Sequence, residues 1–111
     1  MTEITIEQIR MLQQKHGMKL VSKAWGRVAE GTACPVTLLC LEQGVDMRGA
    51  HVDCESMAAY AARVLDVPES RVSGFVDGFD GCEDCGLFSR DQQEYAAGYL
   101  EGVRLREGMT R

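Results

Sequence analysis

The stretch Cys34-Pro35-Val36-Thr37-Leu38-Leu39-Cys40-Leu41-Glu42-Gln43-Gly44-Val45 decides the fold. Pro35 suits the first helical position, where its missing N–H would have no partner anyway. Val36, Leu38, Leu39, Cys40 and Leu41 cover a helix nearly all round, which only burial on several faces explains. The stretch therefore predicts a central, buried helix, with Cys40 as a small core residue. Gly44 supplies a left-handed stop, and Val45 can fold back over the last turn.

Working back from this helix, Thr5 reads as an N-cap with Gln8 completing a capping box. Ile4 and Ile9 can form a hydrophobic staple. Ile6, Ile9 and Leu12 make the apolar stripe of a helix over Ile6–His16 that stops at Gly17. Between Met18 and Ala29, the residues Met18, Val21, Trp25 and Val28 recur at spacings of three and four. This predicts an amphipathic second helix with Lys15, Lys19, Lys23 and Arg27 on its opposite face. Gly26 and Gly31 oppose it, and a short extended segment around Trp25 is the competing reading.

Working forward, residues 46–52 form a connecting loop. Asp53 caps a helix over Cys54–Leu65, with Met57, Ala58, Ala61, Val64 and Leu65 inward. Pro68 starts a helix over Glu69–Phe79 carrying Val72, Phe75, Val76 and Phe79. Ser89, with Gln92 at the capping-box position, opens a last helix over Arg90–Arg106 that ends at Gly108. No convincing strand pair is present. The 111 residues are expected to form one domain over 1–111, all-α, a single compact bundle of five to six short helices. No apolar run approaches the ~20 residues of a membrane span. Met1-Thr2-Glu3-Ile4 carries neither a basic region nor an apolar signal core, so a cytoplasmic, membrane-free protein is expected.

Gly74 and Gly78 are four apart on one helix, and Gly98 and Gly102 four apart on the next. Interior glycine costs a helix about 1 kcal/mol against alanine, so matched pairs predict a close crossing. Linked by the short Cys82–Cys85 loop, the two helices are expected to be antiparallel neighbours. Phe75, Phe79, Tyr95 and Tyr99 lie beside these glycines and read as core.

The net charge of −5 is unevenly placed: residues 1–31 carry +2, and the 26 residues 66–91 carry −5. Asp77, Asp80, Glu83 and Asp84 in that patch are the candidate binding residues, suited to a basic partner or a divalent cation. Their spacing does not match an EF-hand loop. The patch disfavours nucleic acid, whose binding relies on bases neutralising phosphates. Five cysteines without an export signal read as mostly reduced thiols. Cys82 and Cys85 form the one CxxC and are the candidate metal ligands. Zinc there would need two more ligands from Cys34, Cys40, Cys54, His16 and His51. Glu83 and Asp84 between the thiols oppose redox activation. No cofactor motif or nucleophile pair is visible.

The segment from Ala61 to Phe75 resembles a helix-turn-helix, with Ala62 and Leu65 before the turn, Val67 and Pro68 after it, and Val72 and Phe75 inward. The resemblance implies a DNA-binding regulator built on residues 58–79. It departs from the motif at Asp66, where glycine is common, and in offering one Arg, Arg71, for base and phosphate contacts. Three function classes follow. The lead is a module that binds another macromolecule, a protein partner still to be identified. The alternatives are the DNA-binding regulator and a metal-dependent or thiol enzyme using Asp77–Cys85.

Overall fold

The computed structural model describes residues 4–45, 56–82 and 91–109. Among them the architecture is an all-α bundle of five helices with one small strand pair: α1 (Ile6–His16), β1 (Lys19–Leu20), β2 (Thr32–Ala33), α2 (Pro35–Glu42), α3 (Met57–Leu65), α4 (Glu69–Asp80) and α5 (Gln92–Met109). None of these helices is long and apolar enough to cross a membrane.

α1 begins and ends where its sequence says. Thr5 Oγ1 accepts the Gln8 N–H at 3.1 Å, and Gly17 takes the left-handed stop at φ 64°. Ile9 and Leu12 are buried, as is Ile4 just ahead of the helix. α2 is the centre of the molecule. Every residue from Ala33 to Cys40 is buried, so no face of the helix meets solvent until its last turn. Cys34 caps it, its sulfur accepting the Thr37 N–H. Gly44 stands at φ 77°, and the Val45 N–H returns to the Cys40 carbonyl at 3.0 Å, which closes the end.

The amphipathic helix expected over Met18–Ala29 does not form. Lys19 and Leu20 instead pair in parallel with Thr32 and Ala33, a two-residue ladder that also corrects the expectation of no strands. Residues 21–27 run as an irregular strap, followed by a single 3₁₀ turn over Val28–Glu30. Two backbone positions account for the difference. Lys23 sits at φ 61°, a left-handed conformation that costs a non-glycine residue roughly 1 kcal/mol or more, and Gly26 sits at φ 91°. A Cβ on Gly26 would lie 2.6 Å from the Ala33 Cα, so only glycine admits this approach. Around Trp25 the chain is neither the expected helix nor a strand: the extended pairing lies at Lys19–Leu20 and Thr32–Ala33, on either side of the strap.

α3 starts at a Ser56 cap, whose hydroxyl accepts the Ala59 N–H at 3.1 Å. The expected cap Asp53 and the turn expected before Ser56 lie outside the described residues. The turn to α4 is closed by Asp66 in the left-handed conformation at φ 56°, with Val67 N–H bonded to the Ala62 carbonyl. Asp, one of the few residues that tolerate this region, stands where glycine is usual. The first turn of α5 is capped by Asp91, whose Oδ1 accepts the Glu94 N–H at 3.1 Å. Ser89 and Arg90, expected to open this helix, lie outside the described residues.

The glycine-bearing helices α4 and α5 make the most intimate contact in the fold. A Cβ on Gly74 would overlap the Tyr95 carbonyl, one on Gly78 the Tyr99 carbonyl, one on Gly98 the Arg71 carbonyl, and one on Gly102 the Phe75 carbonyl. All four glycines are buried, so backbone meets backbone along the whole crossing. The direction corrects the sequence expectation. Ser70 Oγ accepts the Asp91 N–H at 3.2 Å, joining the two N-terminal ends, while Gly81 lies beneath the Arg106 guanidinium at the two C-terminal ends. The helices are therefore parallel, not antiparallel. The glycines require closeness, and closeness has no sense of direction.

Phe75, Phe79 and Tyr95 are buried beside the crossing as expected, with the two phenylalanine rings stacked at 6.4 Å. Glu101 is buried between α4 and the chain's beginning. Its Oε1 accepts the Ile4 N–H at 2.8 Å and its Oε2 the Arg71 Nη2 at 2.7 Å.

Candidate functional site

The acidic residues singled out in the sequence are occupied internally where they are described. The Tyr95 hydroxyl donates to Asp77 Oδ2, and the Lys23 N–H on the strap donates to Asp80 Oδ1 at 2.8 Å. Burial pushes the Asp80 carboxyl up from its ordinary range, Asp77 adds to the rise, and the Lys23 contacts oppose it. Asp80 thus works as a fastener for residues 21–27, whose sharp bend at Lys23 it stabilises. Cys82 is an exposed free thiol whose carbonyl accepts the Tyr99 hydroxyl at 2.7 Å. Glu83, Asp84 and Cys85 lie outside the described residues, as do Cys54 and His51.

The remaining zinc candidates are scattered. Cys34 and Cys40 are buried in and around α2, and burial pushes both thiols up, Cys40 to about 12. His16 Nε2 is 3.1 Å from Glu42 Oε2, beside the Lys15–Glu42 ion pair. Hydrogen bonds from Lys15 and His16 hold the Glu42 carboxyl below its usual range. Among the described residues, no group of three or more His, Cys, Asp or Glu side chains is gathered as a metal site.

The helix that a helix-turn-helix would insert into DNA is α4, and of its twelve residues only Glu69 is exposed. Its one Arg, Arg71, is held by Glu101 at 2.7 Å and by Glu94 at 3.4 Å. A recognition helix needs a free face with donors aimed at base edges. The face of α4 that would supply one is covered by α5.

What the sequence did not single out is a groove beside the strap. It has a volume of about 670 Å³ and is lined by Val21, Ala24, Trp25 and Met57, with Arg27 and Glu30 at its edge. Trp25 and Met57 are half-buried and rest on the core. The strap is tied down behind Trp25: its carbonyl accepts both the Cys34 N–H at 3.0 Å and the Thr37 hydroxyl at 2.9 Å. The Trp25 backbone is thereby held by the same capped turn that opens α2, and its side chain packs partly buried against the core. Nothing matches this chain among known proteins: no family model, no curated protein and no solved structure. The groove's chemistry must therefore be read from its own lining. The signals that could have found it are Gly26 and Gly31, which break the helical period around the only tryptophan of the chain.

Proposed function

We propose that this chain is a protein-interaction module that engages its partner through the groove at Trp25. The single observation behind the reading is a tryptophan on a hydrogen-bonded strap and a methionine at the start of α3, both half-buried beside a recess of about 670 Å³. Tryptophan, methionine and arginine are the residues in which protein interfaces are enriched, and anchors in partial pockets supply most of their binding energy. A recess already formed in the free protein also reduces the ordering cost of association. The lining argues for binding over catalysis. Ser22 and Thr32 are its hydroxyls, and neither histidine nor cysteine lines it to activate them. Among the described residues, the exposed large apolar side chains are Met11 and Leu100, which stand on separate helices, and single exposed residues of this kind are ordinary.

The test is site-specific photocrosslinking in the source cell. A photoreactive residue replaces Ala24, on the strap, and in a second sample Gln14, exposed on α1. A discrete protein adduct from position 24 and none from position 14 is expected. Equal adducts from both positions, adducts to nucleic acid, or no adduct at 24 would overturn the proposal.

A further inference from the structure

We propose that residues 22–26 form a hinged flap, which opens as one unit and dismantles the groove at Trp25 while the helices stay folded. This rests on the interaction reading above and adds the regulation of that site, since Ala24 and Trp25 leave with the flap and Met57 stays on α3. Both roots of the flap are anchored to β2. The Val21 N–H donates to the Ala33 carbonyl at 3.1 Å, and the Arg27 carbonyl accepts the Thr32 N–H at 3.1 Å. Between the roots no residue belongs to a helix or strand. The left-handed positions Lys23 and Gly26 both lie there, where a change of backbone angle swings the chain.

Two latches hold the flap to different helices. At the end of α4, Asp80 Oδ1 accepts the Lys23 N–H at 2.8 Å. At the start of α2, the Trp25 carbonyl accepts the Cys34 N–H at 3.0 Å and the Thr37 hydroxyl at 2.9 Å. Thr37 is 1% exposed and carries the only hydroxyl of α2, so a polar group in the middle of the core is spent on the flap. When the flap lifts, that hydroxyl keeps the Cys34 sulfur as a partner, 3.4 Å away, and is not orphaned. Opening gives up the bonds of the two latches and part of the contact between one indole and the core. It returns conformational freedom to residues 22–26 and relieves the left-handed strain at Lys23. Segments with so few ties open below the free energy of global unfolding.

Amide hydrogen exchange of the full-length protein, followed by NMR, tests the flap residue by residue. In the parent, the Lys23 and Cys34 amides should show matching protection. Both should be less protected than the Leu38 amide, which bonds to the Cys34 carbonyl inside α2. The decisive readout crosses from one latch to the other. Thr37→Val should speed exchange at Lys23 by about two- to tenfold, the worth of one hydrogen bond, and Asp80→Ala should speed exchange at Cys34 by a similar factor or more. Lys23→Asn should slow exchange at Cys34, because asparagine tolerates the left-handed region. If Thr37→Val does not fold, Asp80→Ala and Lys23→Asn carry the same comparison. Latches that respond only to their own variant, Lys23 and Cys34 protected as strongly as Leu38, or faster exchange at Cys34 in Lys23→Asn would each overturn the flap. Any of these would leave the interaction module to stand on crosslinking at position 24. Coupled latches with no adduct at position 24 would remove the module and leave the flap as a motion of the fold.

Discussion

Replacing Gly98 by alanine puts one methyl group where the structure has no room. Its carbon would overlap the Arg71 carbonyl oxygen and come within 2.9 Å of the Phe75 nitrogen and 3.1 Å of the Arg71 carbonyl carbon. These are backbone atoms in mid-helix, which cannot swing aside as a side chain can. The helices must separate, and separation loosens the matching contacts at Gly74, Gly78 and Gly102 together. Overpacking costs ~1–3 kcal/mol, and the upper end applies where the obstacle is backbone. Alanine returns about 1 kcal/mol of helix propensity, too little to offset that. A net loss of roughly 2 kcal/mol is expected, read as an ~8–10 °C fall in Tm for a domain of this size. Urea unfolding followed at 222 nm measures it. Gly108→Ala is the internal comparison, since it lies on the same helix. There the methyl meets the tip of the Ile6 side chain, which can change rotamer, so the loss should stay well below that of Gly98→Ala. If Gly98→Ala is stabilising, or no worse than Gly108→Ala, the backbone-on-backbone crossing is wrong.

Leu38→Ala, at a fully buried position of α2, should cost about 2–5 kcal/mol in the same unfolding assay, and a loss under 1 kcal/mol would place α2 at the surface. Glu101→Ala leaves the Arg71 guanidinium and the Ile4 N–H without their shared acceptor and should cost about 2 kcal/mol, discounted because Arg71 is partly solvated. Asp80→Ala should speed hydrogen exchange at the Lys23 amide while Asp80→Asn keeps it slow, because an amide oxygen still accepts that N–H. Burial raises the Asp80 carboxyl in the folded chain above its unfolded value near 3.8, so the folded state binds this proton more readily. The group's contribution therefore favours folding as pH falls toward that value and fades above the raised pKa, and Asp80→Asn should flatten that part of the stability–pH profile. Among Cys34, Cys40 and Cys82, a thiol reagent should label exposed Cys82 first, and faster labelling of Cys34 would contradict its burial.

The parts of the fold that were legible in the sequence are those set by local chemistry or by composition all round a helix. The run from Val36 to Leu41 could only be buried, and Thr5 with Gln8 and Gly17 framed α1 to the residue. The four glycines predicted their crossing because an unused glycine in a helix is a loss. The strap was misread because Met18, Val21, Trp25 and Val28 carry a helical spacing by coincidence. The deciding facts are tertiary: Gly26 against the Ala33 backbone, and Lys23 held by a carboxylate 57 positions away. The candidate site was hidden for the same reason. Asp77 and Asp80 look solvated in a run of acids, yet each takes a donor from a distant element, Tyr95 and Lys23. Trp25 was visible as a lone tryptophan, but its placement against α2 depends on two hydrogen bonds to its carbonyl from Cys34 and Thr37.

The parallel sense of α4 and α5 has an electrostatic consequence. Side-by-side helices of opposite sense cancel one another's dipoles, whereas these two add, placing the equivalent of about half a positive charge from each at one end and half a negative charge from each at the other. Glu69, Asp91 and Glu94 stand at the positive end, and Arg106 lies across Gly81 at the negative end. Part of the acidic excess between residues 66 and 91 is thus counter-charge for two aligned helices. Neutralising Asp91 would remove a cap and at the same time take one of three counter-charges away from two N-terminal fields that lie side by side.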